Sequence, residues 1–341
     1  MTESAFLKAC RREPNALTPV WLMRQAGRFL PEFREIRRKV DFLTLCKTPA
    51  LATEVTVMAV EKLKVDAAII FADILLPLDA MERGLEYVKG EGPVIHKPVR
   101  TPEDVRALGD HQHESLSYVY EALKMTRQAL PADKALIGFA GAPFTVASYL
   151  IEGGSSRNFD HTKAFMYKHK AAWDELLDKI TTFTCQYLQE QIAAGAQAYQ
   201  LFDSWVGSLS PQDYQEYVQP FSRRVFDTVT GAPSIHFGTG TTTLLELMRD
   251  AGGDVIGVDW RINLDEAWQR VSYDRAIQGN LDPCVLLSEK SEIKRRVELI
   301  LRQAERRPGH IFNLGHGVLP PTEPHMVEYL VELVHEMSAQ P

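Results

Sequence analysis

Eight short apolar runs recur along the chain, and longer segments with helical periodicity separate them. Each run ends in a polar or glycine-rich turn. Apolar strands that alternate with helices are typical of a parallel sheet covered by helices. Eight such repeats favour a closed α/β architecture, the (β/α)8 TIM barrel, over an open sheet. The predicted strands span residues 19–23, 67–72, 135–140, 198–202, 234–237, 255–258, 275–278 and 310–314.

Five segments between the runs carry apolar residues at the three- and four-residue steps of an amphipathic helix. In 162–194, Trp173, Leu176 and Ile180 fall on one such face; the other segments are 49–64, 102–129, 211–230 and 293–304. Residues 77–100, with several glycines and prolines, are predicted to form a loop or hairpin insertion after the second strand. Because no linker or low-complexity tract divides the sequence, we expect a single barrel domain over residues 1–341.

The charge balance limits the kinds of partner. The chain of 341 residues has 45% hydrophobic and 24% charged residues, values of a globular protein with a sizeable core rather than of a disordered or fibrous one. Its 38 Lys and Arg against 45 Asp and Glu give a net charge of -7, which disfavours nucleic acid or an anionic membrane as the main partner. An acidic ligand would therefore have to be met by locally placed cations.

Cysteine usage and hydropathy indicate the compartment. Cys10, Cys46, Cys185 and Cys284 lie far apart without a CxxC pair, so neither a disulfide framework nor a thiolate zinc cluster is suggested. Residues 1–14 lack the apolar run of a signal peptide, and no stretch approaches the length of a membrane span. We expect a cytoplasmic protein.

The predicted strands are followed by an unusual number of polar side chains. In a barrel of this kind the active site lies at the carboxyl ends of the strands and in the loops after them. In chain order these residues are Arg24, Gln25, Arg28, Asp73, Thr145, Tyr149, Asp203, Ser204, His236, Asp259, Trp260, Asn280, Asp282, Asn313 and His316.

Arg24 and Arg28 stand four residues apart, with Gly27 between them. If this loop turns helically, both guanidinium groups point to one side and form a bidentate clamp for carboxylate or phosphate. The alternative is that one or both arginines pair with Glu32, with Glu35 or with a neighbouring helix. The position at a strand end favours the clamp.

Asp73 closes the apolar run 67–72 and is followed by further apolar residues. A carboxylate in such surroundings is costly to bury without a partner. Its partner is either structural, as at a helix N-terminus or in a salt bridge, or an N–H group or cationic intermediate of a ligand.

The segment Gly315-His316-Gly317 after the last predicted strand lets the backbone approach a ligand closely, and the histidine can donate a hydrogen bond to an anion. A purely structural histidine and a phosphate cradle are the alternatives. The preceding segment 279–283 has one glycine and an acid, which weakens the phosphate interpretation. His236 is interpreted as a core residue, and 238–240 as a turn rather than a dinucleotide-binding loop.

Six segments of the sequence, which include most of these candidate site residues, closely resemble the signatures of the uroporphyrinogen decarboxylase family. The matching segments occur in the family's order, and the resemblance extends over essentially the whole chain. They are residues 21–32 (WLMRQAGRFLPE), 71–75 (FADIL), 141–145 (GAPFT), 149–154 (YLIEGG), 279–283 (GNLDP) and 313–317 (NLGHG).

The resemblance implies a (β/α)8 barrel, usually a homodimer, that converts the four acetate side chains of uroporphyrinogen to methyl groups without a metal or cofactor. The product is coproporphyrinogen, an intermediate of haem and chlorophyll biosynthesis. By motif position, the implied substrate-binding residues are Arg24, Gln25, Ala26, Gly27, Arg28, Asp73, Tyr149, Ser204 and His316. Some members of the family carry threonine at the position of Ser204, and both residues supply a hydroxyl group.

Three of these residues have implied catalytic roles. Asp73 accepts hydrogen bonds from the pyrrole N–H groups at the centre of the macrocycle and stabilises a cationic intermediate. Either Arg24 or Arg28 is the implied proton donor, and we assign Arg24 to proton delivery and Arg28 to carboxylate binding. Arginine is a poor acid, because it stays protonated in nearly all protein settings.

Two other functions compete with this interpretation. The related zinc-dependent methyltransferases carry a His-x-Cys motif and a later cysteine as ligands, but this chain has His236-Phe237-Gly238 at the matching strand and no cysteine after Cys284. A non-catalytic tetrapyrrole carrier with the same carboxylate clamp is the second alternative.

Overall fold

The structure, a computed structural model, describes residues 3–88, 92–109 and 113–339. Its strands are β1 (Ala67–Ile69), β2 (Leu85–Val88), β3 (Gly92–Ile95), β4 (Ala135–Gly141), β5 (Ala198–Asp203), β6 (Ser234–Gly238), β7 (Val255–Gly257), β8 (Ala276–Leu281) and β9 (His310–Leu314). β1 and β4 to β9 form one parallel sheet, and each pairs with the next along the chain. The predicted α/β barrel is confirmed.

Helices follow the strands and cover the sheet. They are α1 (Ala5–Cys10), α2 (Pro31–Lys39), α3 (Phe42–Lys47), α4 (Pro49–Leu63), α5 (Leu76–Ala80), α6 (Pro102–Arg106), α7 (Ser117–Ala129), α8 (Pro143–Glu152), α9 (Asp160–Lys168), α10 (Lys170–Ala193), α11 (Pro211–Tyr217), α12 (Gln219–Thr228), α13 (Leu245–Ala251), α14 (Leu264–Arg270), α15 (Lys290–Ala304) and α16 (Pro324–Ser338). Short 3₁₀ helices span His113–Leu116, Val206–Ser208, Thr242–Leu244 and Pro283–Leu287. Within the described ranges, no helix is long and apolar enough to cross a membrane.

The prediction of a strand over 19–23 is wrong, although the segment occupies the expected place. Only Val20 forms a β-bridge, with Phe312 of β9. On its other side, the Val20 carbonyl accepts the N–H of Asp66, just before β1, at 2.7 Å. Pro19 has no N–H to donate to a ladder, and the N–H groups of Val20 and Leu22 donate to side chains instead. The segment therefore closes the sheet between β9 and β1 without becoming a regular strand.

Three predicted helices are each divided. The segment 162–194 breaks at His169 into α9 and α10, and 211–230 breaks at Val218 into α11 and α12. Pro220 explains the second break, because it has no N–H for an intrahelical bond and its ring clashes with the preceding turn. The segment 102–129 becomes α6, a 3₁₀ helix and α7, with its residues 110–112 outside the described ranges.

The insertion 77–100 contains most of α5 and an antiparallel hairpin of β2 and β3. The hairpin interpretation is confirmed, while residues 89–91 lie outside the described residues. The hairpin follows β1 and places Tyr87 of β2 near the carboxyl end of the barrel, where its ring centroid lies 4.6 Å from that of Phe42.

Small residues at the starts of four strands make room for α1 inside the amino end of the barrel. Ala67, Ala135, Ala198 and Ala276 belong to one buried cluster with Phe6 of α1, all of them 0% exposed. The helix therefore fills the end of the barrel opposite the polar strand ends. This leaves the carboxyl end for a ligand.

Asp66 holds the closing segment in place. Its Oδ2 accepts the Val20 N–H at 2.8 Å and contacts Nε2 of His335 of α16 at 2.7 Å, and its Oδ1 lies 3.3 Å from Nζ of Lys134. Burial by itself raises the pKa of Asp66, but the hydrogen bond and charge of His335, the Val20 N–H and Lys134 outweigh it, and the net pKa is lowered. One carboxylate thus joins the closing segment to β1, the last helix and the start of β4.

We predict that Asp66→Asn lowers the free energy of unfolding by about 3 kcal/mol, because it removes one partner of a buried charge network. Since the pKa of Asp66 is lower in the folded than in the unfolded protein, its stabilisation is complete above about pH 4 and is lost as the pH falls further. Urea denaturation at several pH values measures both effects. The exposed Asp133→Asn is the matched control, expected to change stability by less than about 0.5 kcal/mol; equal effects of the two variants would contradict this role of Asp66.

Candidate active site

Arg24 and Arg28 lie in two successive tight turns rather than in a helix. The N–H of Gln25 donates to the Leu22 carbonyl at 3.0 Å, and that of Leu30 to the Gly27 carbonyl at 3.0 Å. Arg24 has a left-handed backbone with φ 61°. Gly27 is needed for this compact path, because a Cβ there would lie 2.6 Å from the Arg24 carbonyl oxygen. The helical arrangement of the two arginines is therefore not present.

Both arginines are nevertheless free to bind an anion. Arg24 and Arg28 are exposed, and neither guanidinium makes an ion pair or hydrogen bond with another described residue. The two glutamates considered as partners are engaged elsewhere, Glu32 with Lys62 at 2.5 Å and Glu35 with Arg38. The alternative of local salt bridges is thus wrong, and the two cations remain available.

Gln25 lies beneath the turn rather than in the cleft. Its side chain accepts the Leu22 N–H at 3.0 Å and donates to the carbonyl of Ala67 in β1 at 3.1 Å, and the residue is 1% exposed. This amide fixes the arginine turn to the adjacent strand. Ala26 is half-buried in the same turn. Substrate contacts by Gln25 and Ala26 stay predictions, and the observed role of the Gln25 side chain is to hold the turn.

Asp73 has one carboxylate oxygen occupied and one open. Oδ1 accepts the Leu75 N–H at 2.8 Å, and Oδ2 makes no hydrogen bond with another described residue. Burial raises the pKa of Asp73, although the Tyr87 hydroxyl, the Leu75 N–H and the Arg24 charge each act to lower it. The residue still keeps part of its surface accessible. Asp73 is therefore a deeply placed acceptor with capacity left for a ligand.

Two tyrosines stand beside Asp73. The Tyr87 hydroxyl is buried near the carboxylate, whose charge raises the pKa of Tyr87 after burial itself, and it makes no well-formed hydrogen bond with another described residue. Tyr149 on α8 packs against Trp205, with ring centroids 5.6 Å apart. Burial and then the Asp73 charge raise the pKa of Tyr149 to about 12. Tyr149 lies within the field of Asp73, and its contact with a substrate stays a prediction. Tyr87 was missed because it lies in the insertion and not at a strand end.

Ser204 follows β5 directly in a braced turn. Its carbonyl accepts the Thr239 hydroxyl at 2.8 Å. Thr145 donates its hydroxyl to the fully buried Asp203 at 3.2 Å and accepts the Trp205 N–H at 3.3 Å. The half-buried Ser204 is thereby held at the strand end.

His236 lies in the core, as predicted. It is 0% exposed, its Nδ1 lies 3.3 Å from the Met248 carbonyl oxygen, and its Nε2 lies 3.8 Å from Oδ2 of the buried Asp203. It therefore has no access to a ligand in the cleft.

His316 is a neutral hydrogen-bond donor. Its Nδ1 accepts the Gly317 N–H at 2.7 Å, so in the neutral ring the proton resides on Nε2. Burial, followed by the charges of Arg24 and Arg261, lowers the pKa of His316 to about 4, against the opposing charge of Asp259. At neutral pH this residue presents one N–H and carries no charge.

The glycines on either side of His316 are contact points between loops. A Cβ on Gly317 would overlap Cγ and Cδ of Arg24, and one on Gly315 would lie 2.7 Å from Cε3 of Trp260. The loop 315–317 therefore lies between the Arg24 turn and the loop after β7. Both glycines are required by these close approaches rather than by a phosphate.

The loop after β7 carries a cation that the sequence interpretation missed. Asp259, 2% exposed, accepts the Gly240 N–H at 2.6 Å and the Arg261 N–H at 3.0 Å, and it forms an ion pair with the Arg261 guanidinium. That guanidinium also lies over the Trp260 ring, 4.4 Å from its centroid. The position of Arg261 depends on Asp259, which spacing alone does not reveal.

The carboxyl end of the barrel thus holds a carboxylate at depth and hydrogen-bond donors around it. Asp73 and His316 both respond to the charge of Arg24, and Tyr149 responds to Asp73 and Arg24. Over the described residues, no three His, Cys, Asp or Glu side chains come together in a group that could hold a metal ion. Such a site suits a polyanionic ligand that has hydrogen-bond donors at its centre.

Comparison with known proteins agrees with this arrangement. A family model described as uroporphyrinogen decarboxylase (URO-D) matches residues 1–337. The chain is 56% identical over 337 residues to the uroporphyrinogen decarboxylase of Carboxydothermus hydrogenoformans, covering 98% of this chain and 96% of the relative. It is 54% identical over 335 residues to that of Sorangium cellulosum, covering 97% and 96%.

Among solved structures, a methyltransferase from Methanosarcina mazei matches with a TM-score of 0.84 at 19% identity, over 98% of this chain and 99% of that one. At this identity the likeness concerns the fold alone. The family is decided by the sequence matches over nearly the whole chain, and the chain belongs to the uroporphyrinogen decarboxylase family.

Proposed function

We propose that this protein is a uroporphyrinogen decarboxylase, a carboxy-lyase that converts the four acetate side chains of uroporphyrinogen III to methyl groups and yields coproporphyrinogen III. The observation that carries the proposal is Asp73, a buried carboxylate whose Oδ1 alone accepts a backbone N–H and which lies within the field of Arg24, the cation that also acts on His316. A hydrogen-bond acceptor at the centre of the site and hydrogen-bond donors around it match a macrocycle that has N–H groups inside and carboxylates at its rim.

The arginines supply charge that the protein as a whole lacks. Although the net charge is -7, Arg24 and Arg28 are exposed and form no ion pair with another described residue. A guanidinium binds a carboxylate through two parallel hydrogen bonds. The substrate carries eight carboxylates, so local cations of this kind both attract and orient it.

Asp73 acts on the reacting ring. Its Oδ2 accepts hydrogen bonds from the pyrrole N–H groups, which offsets the cost of holding a carboxylate in buried surroundings. As positive charge develops on a pyrrole, the same carboxylate stabilises it, and the effect is large because the site is shielded from water.

The pyrrole itself serves as the electron sink. Protonation of a ring carbon gives a cationic ring; the bond between the acetate methylene and its carboxylate then breaks, CO₂ leaves, and the bonding electrons neutralise the ring. Protonation of the resulting exocyclic methylene gives the methyl group, and the ring carbon releases its added proton. Each acetate therefore consumes one proton and releases one CO₂.

Arg24 is assigned to proton delivery and Arg28 to carboxylate binding. Of the two, Arg24 is the one whose charge acts on both Asp73 and His316. His316, neutral and protonated on Nε2, donates a hydrogen bond to a substrate carboxylate without adding charge. Tyr149 and Ser204 supply hydroxyl groups to the same cleft.

The family resemblance supports a homodimer, and no nucleic acid or membrane partner is proposed. The reaction as written uses no cofactor or metal. We place the enzyme in the cytoplasm, since all four cysteines are free thiols, as is typical of a reducing compartment.

The direct test is anaerobic incubation of chelator-treated protein with uroporphyrinogen, followed by oxidation and chromatography of the porphyrins. The wild-type protein is expected to yield products with progressively fewer carboxylates. We predict that Asp73→Asn lowers kcat by at least about 100-fold, since it removes the charge that stabilises the intermediate.

The matched control is Asp133→Asn, an exposed aspartate next to the amino end of β4, which is expected to turn over normally. Circular dichroism and thermal unfolding establish that Asp73→Asn is folded. Near-normal turnover by this variant would refute the role of Asp73. A wild-type protein that binds uroporphyrinogen but never converts it would be a carrier and not this enzyme.

The protonation state of His316 gives a second prediction. Its lowered pKa of about 4 means that the folded protein takes up no proton here near pH 6, whereas the unfolded chain does. His316 therefore reduces stability as the pH falls from about 6.5 to 4. ¹⁵N NMR of histidine-labelled protein measures this, and the His316 signals are identified because they are missing from the spectrum of the His316→Gln variant. These signals should show an Nε2–H tautomer that does not titrate above about pH 5. A midpoint near pH 6.5 would contradict a neutral donor.

A further inference from the structure

We propose that Arg261 is an additional carboxylate-binding residue of the cleft and holds a side-chain carboxylate of the substrate on the side opposite the Arg24 turn. The proposal rests on the decarboxylase function proposed above. It concerns a residue that lies outside the segments by which the chain resembles its family.

The Arg261 guanidinium is held in place before any ligand binds. Asp259, itself 2% exposed, binds both the backbone N–H and the guanidinium of Arg261, and is further fixed by the Gly240 N–H at 2.6 Å. The Trp260 ring supports the guanidinium from one face, 4.4 Å away. A long side chain that is already ordered loses little entropy when it binds an anion.

Part of this guanidinium has no hydrogen-bond acceptor among the described residues. Nη1 contacts Asp259, while Nε and Nη2 make no hydrogen bond with other described residues. The side chain is 51% exposed, although its carboxylate partner is almost fully buried. A guanidinium has five N–H donors, so Arg261 keeps donors free for a second carboxylate.

Arg261 also lies across the His316 loop from the Arg24 turn. Trp260 packs on Gly315, and Arg24 packs on Gly317 two residues later. The two cations therefore flank the loop of His316 from opposite sides, and the charges of both lower the pKa of that histidine. A macrocycle with carboxylates around its whole rim presents groups to both sides at once. Arg24 alone serves only one of them.

The experiment compares Arg261→Gln with Arg302→Gln. Arg302 is an equally exposed arginine near the end of α15, which leads to the amino edge of the sheet, away from the cleft. For Arg261→Gln we expect the KM for uroporphyrinogen to rise about tenfold, the size of one charged hydrogen-bonded contact, with kcat within about twofold of wild type. The Kd for the unreactive oxidised porphyrin should rise in parallel. Arg302→Gln should change neither.

The conservative variant Arg261→Lys should fall between, because it keeps the charge but loses the planar fork and the stacking on Trp260. The Arg261→Gln variant leaves the buried Asp259 carboxylate without its ion-pair partner, which could prevent folding. In that case the double variant with Asp259→Asn and Arg261→Gln removes both charges together, and it is expected to give the same rise in KM. Unchanged KM and Kd, an equal rise in Arg302→Gln, or a fall in kcat alone would each overturn the proposal. Absence of turnover in the wild-type protein would instead count against the proposed function.

Discussion

The closure of the barrel depends on the backbone and side-chain hydrogen bonds of a segment that is not a regular strand. Between β9 and β1, the backbones of Pro19 and Trp21 bond to Phe312, and the Val20 carbonyl accepts the Asp66 N–H. The N–H groups of Val20 and Leu22 are satisfied by the side chains of Asp66 and Gln25. Because Gln25 also binds the Ala67 carbonyl, the turn that carries the two arginines is attached directly to the first strand. The same hydrogen bonds that close the fold therefore position the cations of the cleft.

Charge at the carboxyl end is arranged to favour one kind of ligand. The described residues leave Arg24 and Arg28 without acidic partners, keep His316 neutral, and surround Asp73 with groups that only partly offset its burial. The free site thus contains an incompletely satisfied carboxylate at depth and unpaired donors near the surface. In the proposed function, binding of an anionic ring with central N–H groups satisfies both, and the same residues are proposed to recognise the substrate and to stabilise the cationic intermediate.

Most of the strands, and the gathering of polar side chains at their carboxyl ends, were predictable, because parallel strands have continuous apolar patterns and bring their carboxyl ends to one edge. The closing segment was not predictable, since Pro19 to Leu22 are apolar enough for a strand while the N–H groups of Val20 and Leu22 donate to the side chains of Asp66 and Gln25. Nor were Tyr87 and Arg261. The position of the first depends on how an inserted hairpin folds back over β1, and that of the second on an ion pair with Asp259.

Asp73 is proposed to bind the centre of the macrocycle. The most direct measurement is a crystal structure of the protein with coproporphyrinogen, prepared without oxygen. We expect at least two pyrrole nitrogens within about 3.2 Å of the Asp73 carboxylate, with the ring's remaining carboxylates directed to the arginine side of the cleft. A macrocycle bound in the cleft with no pyrrole nitrogen in hydrogen-bonding reach of Asp73 would contradict the account.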